Sequence, residues 1–159
     1  MRTIARLSML LALGGCAAAP PQPGASRDEV QRTWGPPTAH YTLADAAERL
    51  EYATGPYGRQ TWMIDIDRNG RVLQARQVLG EAEFLRVQSI AGLRREELLR
   101  QIGSPGERRH GGWQGGEVWS WRYPTNDCLW FELSLASDGA VTGGGYFFDP
   151  RCDAAPDFH

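Results

Sequence analysis

The sequence predicts an α+β fold made of two tandem units, each a short helix packed on an antiparallel β-meander. Three observations carry that expectation. Glycine, an acidic pair, an aliphatic residue and a glycine followed by proline recur about 68 residues apart, as in Asp28-Glu29-Val30 with Gly35-Pro36 and Glu96-Glu97-Leu98 with Gly103-Ser104-Pro105. After each of these motifs the apolar period shortens from a helical one to two, the signature of half-buried strands. Each unit then carries an Asn-Gly or Asp-Gly turn, at Asn69-Gly70 and Asp138-Gly139.

In the first unit Ser26-x-x-Glu29 forms a capping box, with the hydroxyl placed to accept the third helical amide. The helix runs to Trp34, Gly35 supplies a left-handed stop, and Pro36-Pro37 prevent continuation. Leu50-Glu51-Tyr52 follows. Trp62, Ile64 and Ile66 then alternate with Met63, Asp65 and Asp67, which predicts one buried and one wet face. The chain turns at Asp67-Arg68-Asn69-Gly70 and returns from Val72 to Leu79. In the second unit Arg94 occupies the cap position, so that helix is expected to be less well capped. Leu98, Leu99 and Ile102 still share one helical face. Trp119, Trp121 and Tyr123 share a strand face, as do Leu129, Phe131, Leu133 and Leu135. A return strand from Val141 to about Phe148 is weakened by Gly143-Gly144-Gly145. The repeat pairs Gly35 with Gly103, Tyr52 with Tyr123 and Gly70 with Gly139. The units occupy 26–80 and 81–152, with a tail at 153–159, and one continuous sheet joining them is compatible with the pattern.

The N-terminus sets the compartment. Arg2 and Arg6 precede the apolar run Leu7-Ser8-Met9-Leu10-Leu11-Ala12-Leu13, and small Gly14 and Gly15 precede Cys16. This is the layout of a secretory signal, with an apolar run too short to span a bilayer. Leu13-Gly14-Gly15-Cys16 resembles a lipobox, which implies cleavage after residue 15 and lipid on Cys16. Residues 16–25 are rich in alanine and proline and are expected to form a semi-rigid tether. Ala17 in place of aspartate after Cys16 implies, by analogy with Gram-negative lipoproteins, sorting to the outer membrane.

Composition narrows the function. Every basic residue is arginine, and the formal charge of −2 becomes −4 once Arg2 and Arg6 are removed. A mildly acidic domain offers no electrostatic footprint for nucleic acid. With Cys16 assigned to lipid, Cys128 and Cys152 remain in an oxidising compartment, where pairing is expected; free or metal-binding thiols are the alternative. His40, His110 and His159 stand at no ligand spacing from a cysteine, so no metal or other cofactor is expected.

The motif set, Gly-x-x-x-acidic-acidic-aliphatic, Gly-Pro or Gly-x-Pro, Leu-x-Tyr, and an apolar strand ending in Asp-x-Asn-Gly or Asp-Gly, resembles the SmpA/OmlA (BamE-like) family of small outer-membrane lipoproteins. It covers Gly24 to about Cys152, once per unit. The resemblance implies a non-enzymatic accessory role in outer-membrane assembly. Family members usually carry one unit. The tandem arrangement here is similar to the β-lactamase-inhibitor protein fold, which implies a concave sheet that binds a partner.

No nucleophile elbow, P-loop, zinc motif or dinucleotide fingerprint occurs in the chain. Asp65 and Asp67 are expected on the wet face entering a turn, and Glu96-Glu97 at a helix N-terminus, where acids interact favourably with the dipole. Arg108-Arg109-His110 is expected in a loop. Trp34, Trp62, Trp119 and Trp121 fit core positions. Trp130 alternates with Leu129 and Phe131 and is expected on the outer face, while Trp113 lies in a glycine-rich stretch. Exposed aromatics anchor protein interfaces, so Trp113, Trp130 and Arg122 form the candidate contact set. The sequence therefore predicts a lipid-anchored, non-enzymatic, protein-binding envelope module, with an inhibitor-like or ligand-binding module as the alternative.

Overall fold

The computed structural model of the chain describes residues 19–54, 59–111, 115–124 and 128–152. Among them are three α-helices and two four-stranded antiparallel sheets. The first helix, α1 (Arg27–Trp34), starts where the extended Ser26 accepts the Glu29 amide on Oγ at 3.2 Å. It stops at Gly35, whose φ of 79° and ψ of −165° lie beyond the expected left-handed helical region, in one open essentially to glycine alone. Four strands follow, β1 (Ala39–Thr42), β2 (Glu48–Thr54), β3 (Gln60–Ile66) and β4 (Val72–Gln77), paired in sequence order. Val30 and Trp34 of α1 pack on Leu50, Tyr52, Ile64, Ile66 and Val72.

The second half opens with α2 (Glu81–Gln88) and α3 (Arg95–Ile102), then β5 (Glu107–His110), β6 (Glu117–Arg122), β7 (Leu129–Leu135) and β8 (Val141–Phe148), again paired in order. Arg94 makes no side-chain cap, as its side chain predicts; it pairs with Asp138 at 3.2 Å instead. The core joins Phe84, Val87, Leu98 and Ile102 from the helices to Trp119, Trp121, Phe131, Leu133 and Leu135. Neither α2 nor the short strands β1 and β5 was expected. Arg108, Arg109 and His110 therefore lie in a strand, where a loop was expected.

Both sheets close on the same contacts. Arg27 N–H donates to Gly70 C=O, and Arg95 N–H to Gly139 C=O, each at 2.9 Å. Val72 N–H reaches Ala25 C=O, and Val141 N–H reaches Leu93 C=O, each at 2.9 Å. In each hairpin turn the glycine alone has positive φ, 73° at Gly70 and 83° at Gly139, with Gly70 N–H donating to Asp67 C=O and Gly139 N–H to Ala136 C=O, each at 2.9 Å. That is a turn with a bulge; the tight Asn-Gly turn would need positive φ at both central residues. The ladders also correct one pairing. Glu51 opposes Met63 as Ser120 opposes Glu132, so Trp121, and not Tyr123, holds in its ladder the place that Tyr52 holds in the first. Their hydrogen bonds agree: Tyr52 O–H donates to Gly35 C=O at 3.1 Å and Trp121 Nε1–H to Gly103 C=O at 3.2 Å. A two-residue shift leaves every side chain on the same face, so the apolar pattern could not distinguish the two.

In place of the one continuous sheet that the pattern allowed, the described residues form two separate sheets. The reason lies in α3, whose C-terminal end lands on the face of the first sheet opposite α1. Arg49 Nη1 donates to Arg100 C=O at 2.6 Å, and Ser104 N–H to Glu51 Oε1 at 3.0 Å. Gly103, with φ 77° and ψ −173°, comes so close that a Cβ there would meet Thr61 Cγ2 at 2.8 Å and Met63 Cε at 3.1 Å. The end of α3 thus bridges the sheets, since Gly103 C=O also accepts from Trp121 Nε1–H of the second at 3.2 Å. The face predicted to be wet is buried: Met63 is 1% and Asp65 5% exposed. Burial alone would raise the Asp65 carboxyl, but hydrogen bonds from Arg49 and Gln74 outweigh it and hold the pKa below its ordinary value.

Candidate functional site

The outer face of the second sheet, on the side away from α3, holds two of the three candidate contact residues. Period two does turn Trp130 away from Phe131, yet the ring is 1% exposed. Arg122, directly opposite Trp130 in the ladder, sits 4.9 Å from the ring centroid, and Arg109 of β5 lies 5.3 Å from it. The indole N–H has no acceptor among the described residues, so stacking holds the ring. Arg122 is 4% exposed and makes a bidentate pair with Asp149, Nη2 to Oδ1 at 2.9 Å. The hydrogen bond from Arg122 holds the Asp149 carboxyl below its ordinary pKa, outweighing burial, and the same pairing raises that of the guanidinium. Trp130 and Arg122 are thus internal partners, and the expectation that they meet another protein is corrected. The strand β5, missed in the sequence, is what lays Arg109 over the indole. Arg109 also pairs with Glu132, which accepts from Ser120 Oγ at 2.9 Å.

Cys128 and Cys152 stand at disulfide distance, with Cα atoms 5.6 Å apart. Asp149 N–H donates to Cys128 C=O at 2.8 Å and Cys152 N–H to Asp149 C=O at 2.9 Å, so the sulfur pair and the Arg122–Asp149 pair hold one corner of the sheet. Cys16 and Trp113 lie outside the described residues.

Besides Leu73 and Leu85, the large apolar side chains exposed among the described residues are those at the end of β8. Tyr146 is 37%, Phe147 51% and Phe148 74% exposed. By the ladder register, Phe131 opposes Tyr146 as Trp62 opposes Gln77, which aligns Phe147 and Phe148 with Val78 and Leu79. Those two are 0% and 1% exposed, because the chain runs on from them into α2 and buries them. Beside Phe147 an open cleft of about 370 Å³ is floored by Gly143 and Gly144 and edged by Arg109 and Glu132. The signal was in the sequence. Tyr146-Phe147-Phe148 puts aromatics on both faces of one strand, and an edge strand covers neither completely.

Among the described residues no group of three or more His, Cys, Asp or Glu side chains is placed to hold a metal ion. No helix there is long and apolar enough to cross a membrane. No family model, curated protein or solved structure matches the chain.

Proposed function

We propose that this protein is a lipid-anchored, non-enzymatic module of the bacterial envelope that binds a protein partner in outer-membrane assembly or maintenance. One observation carries the reading. The apolar pair at the end of the last strand is covered by the protein itself in the first half, as Val78 and Leu79, and bare in the second, as Phe147 and Phe148. Exposed aromatics at the rim of a cleft are the residues protein interfaces use as anchors. The lipobox-like Leu13-Gly14-Gly15-Cys16 supplies the anchor and Ala17 the outer-membrane address, while the expected tether ends before Gly24, whose N–H donates to Val72 C=O at 2.8 Å.

The two halves are copies of one SmpA/OmlA-like unit in this reading. The shared strand order, the matching hairpin-to-helix hydrogen bonds and the common glycine conformations after α1 and α3 support it. The ligand-binding alternative rests on one concave sheet running through both units, a continuity the two sheets lack.

The test is capture from envelope membranes by the lipidated protein, with Phe147→Ser/Phe148→Ser in parallel. One envelope protein should be retained by the native surface and lost with the double variant. Equal capture by both, or none by either, refutes the reading.

A further inference from the structure

We infer that the outer edge of β8 is a docking site for an extended segment of the partner chain, which adds to the second sheet as a further strand. This deepens the protein-binding reading and rests on it. The hydrogen-bond geometry identifies the open groups. Asp149 N–H donates to Cys128 C=O while Phe148 opposes Leu129, so Phe148–Leu129 is a non-hydrogen-bonded pair. Alternation then turns the amide and carbonyl of Gly144, Tyr146 and Phe148 away from β7. In the first sheet Val78 N–H donates to Thr61 C=O, which turns Gln77 and Leu79 outward in the same way.

The two edges treat these groups differently. On the first, the Gln77 side chain folds over the edge: its Oε1 accepts the Leu79 amide and its Nε2 donates to Leu79 C=O at 2.9 Å. A carboxamide is a peptide group in miniature, and here it does what a neighbouring strand would do. On the second edge the residue at that place is Tyr146, which has no side-chain amide, and among the described residues the groups of Phe148 have no such plug. Only an extended backbone supplies donors and acceptors at the strand repeat.

Charge and side chains describe the occupant further. Val141–Phe148 carries neither charge nor proline, the usual protections of an edge strand. The edge strand β5, by contrast, is Glu-Arg-Arg-His, and β4 carries Arg76. An added strand would meet Tyr146 and Phe148 on one face and Phe147 on the other, so it is uncharged and apolar opposite those aromatics. Gln88 Nε2 already donates to Gly144 C=O at 3.3 Å. Twofold pairing of two copies centred on Tyr146 would lay each Phe148 against that occupied carbonyl, whereas a separate segment can end short of it.

Amide hydrogen exchange of the mature full chain tests this, with a synthetic peptide of alternating valine and threonine, a lysine at each end, as the probe. In the free protein Tyr146 and Phe148 amides should exchange fast, and Gly145 and Phe147, bonded to β7, slowly. Peptide at about ten times its Kd should slow the first two about tenfold. Phe148→Pro removes an outward N–H without touching the β7 ladder and should abolish the effect, while Phe148→Ala retains it in weakened form. Tyr146→Gln should plug the edge as Gln77 does, slowing Phe148 in the free chain and weakening the peptide. The inference is overturned if the peptide slows neither amide, or if both are slow in the free chain at every dilution, which assigns the edge to the chain's own tail. Slowing that grows with protein concentration assigns it to a second copy and overturns it equally. A blank peptide result beside positive envelope capture sinks the edge alone; peptide binding beside blank capture sinks the broader reading alone.

Discussion

Replacing Gly103 by alanine separates the two demands made on that residue, because Gly35 shares only one of them. Both glycines end helices with nearly the same backbone, φ 77° and ψ −173° against φ 79° and ψ −165°. Holding an L-residue there costs about 1–3 kcal/mol. At Gly35 an added methyl meets nothing within 4 Å, so Gly35→Ala should cost that strain alone. At Gly103 the methyl would stand 2.8 Å from Thr61 Cγ2, 3.0 Å from Glu51 Cδ and 3.1 Å from Met63 Cε, all buried in the first sheet. Overpacking of this kind adds about 1–3 kcal/mol. Gly103→Ala should therefore lose about 2–6 kcal/mol in all. Urea unfolding of both variants against the parent measures the difference. A gap of about 2 kcal/mol moves the midpoint by about 1 M at a slope of about 2 kcal/mol/M. Equal losses at the two glycines would refute the packing of α3 on the first sheet, since only that packing distinguishes them.

Four further outcomes are expected. Arg122→Ala should destabilise by about 3–5 kcal/mol in the same urea assay, because it leaves the Asp149 carboxylate buried and unpaired; a loss below 1 kcal/mol would show Asp149 to be solvated. Asp149 and Asp65 both have depressed carboxyl pKa values, so the stability they supply is complete above the ordinary carboxylate value and falls away as the pH drops through their native ones. Asp149→Asn should accordingly flatten the loss of stability as the pH falls below about 4, and an unchanged acid limb would refute the linkage. Mass analysis under non-reducing conditions should find no free thiol at Cys128 or Cys152, and reduction should cost about 3–4 kcal/mol for the loop they close. Cys16→Ser should leave the chain unlipidated and in the aqueous phase on detergent partition; a variant that still matures and follows the detergent would refute the anchor.

The parts of the fold that were legible are those governed by neighbours in sequence. Ser26 caps α1 because its hydroxyl lies three residues from the amide it accepts. The alternation in β3 and β7 sorted residues correctly between two faces, since a strand's period leaves no other choice. The short strands β1 and β5 were missed because four polar-rich residues have too little pattern; their ladders with β2 and β6 make them strands. Helix α2 was missed although Phe84 and Val87 stand at helical spacing, because its glycine N-cap offers no side chain to mark the start. The site was harder still. Trp130 was placed on the correct side of its strand and assigned the wrong exposure, since alternation says which way a ring points and nothing about what lies over it.

The sequence by itself determined the local periods: two helices ending at glycines, the alternation of side chains between strand faces, and two hairpin turns. All of these depend on side chains and backbone within a few residues of one another. Three matters were decided only by tertiary structure. The ladder gave Trp121, and not Tyr123, the place that Tyr52 holds in the first sheet, because a shift of two residues preserves every face and only the hydrogen bonds resolve it. The landing of α3 on the first sheet turned a face predicted to be wet into an interior, with Arg49 neutralising Asp65 there. Position at the sheet's edge left Phe147 and Phe148 bare where Val78 and Leu79 are covered, because coverage depends on what the chain does next in space.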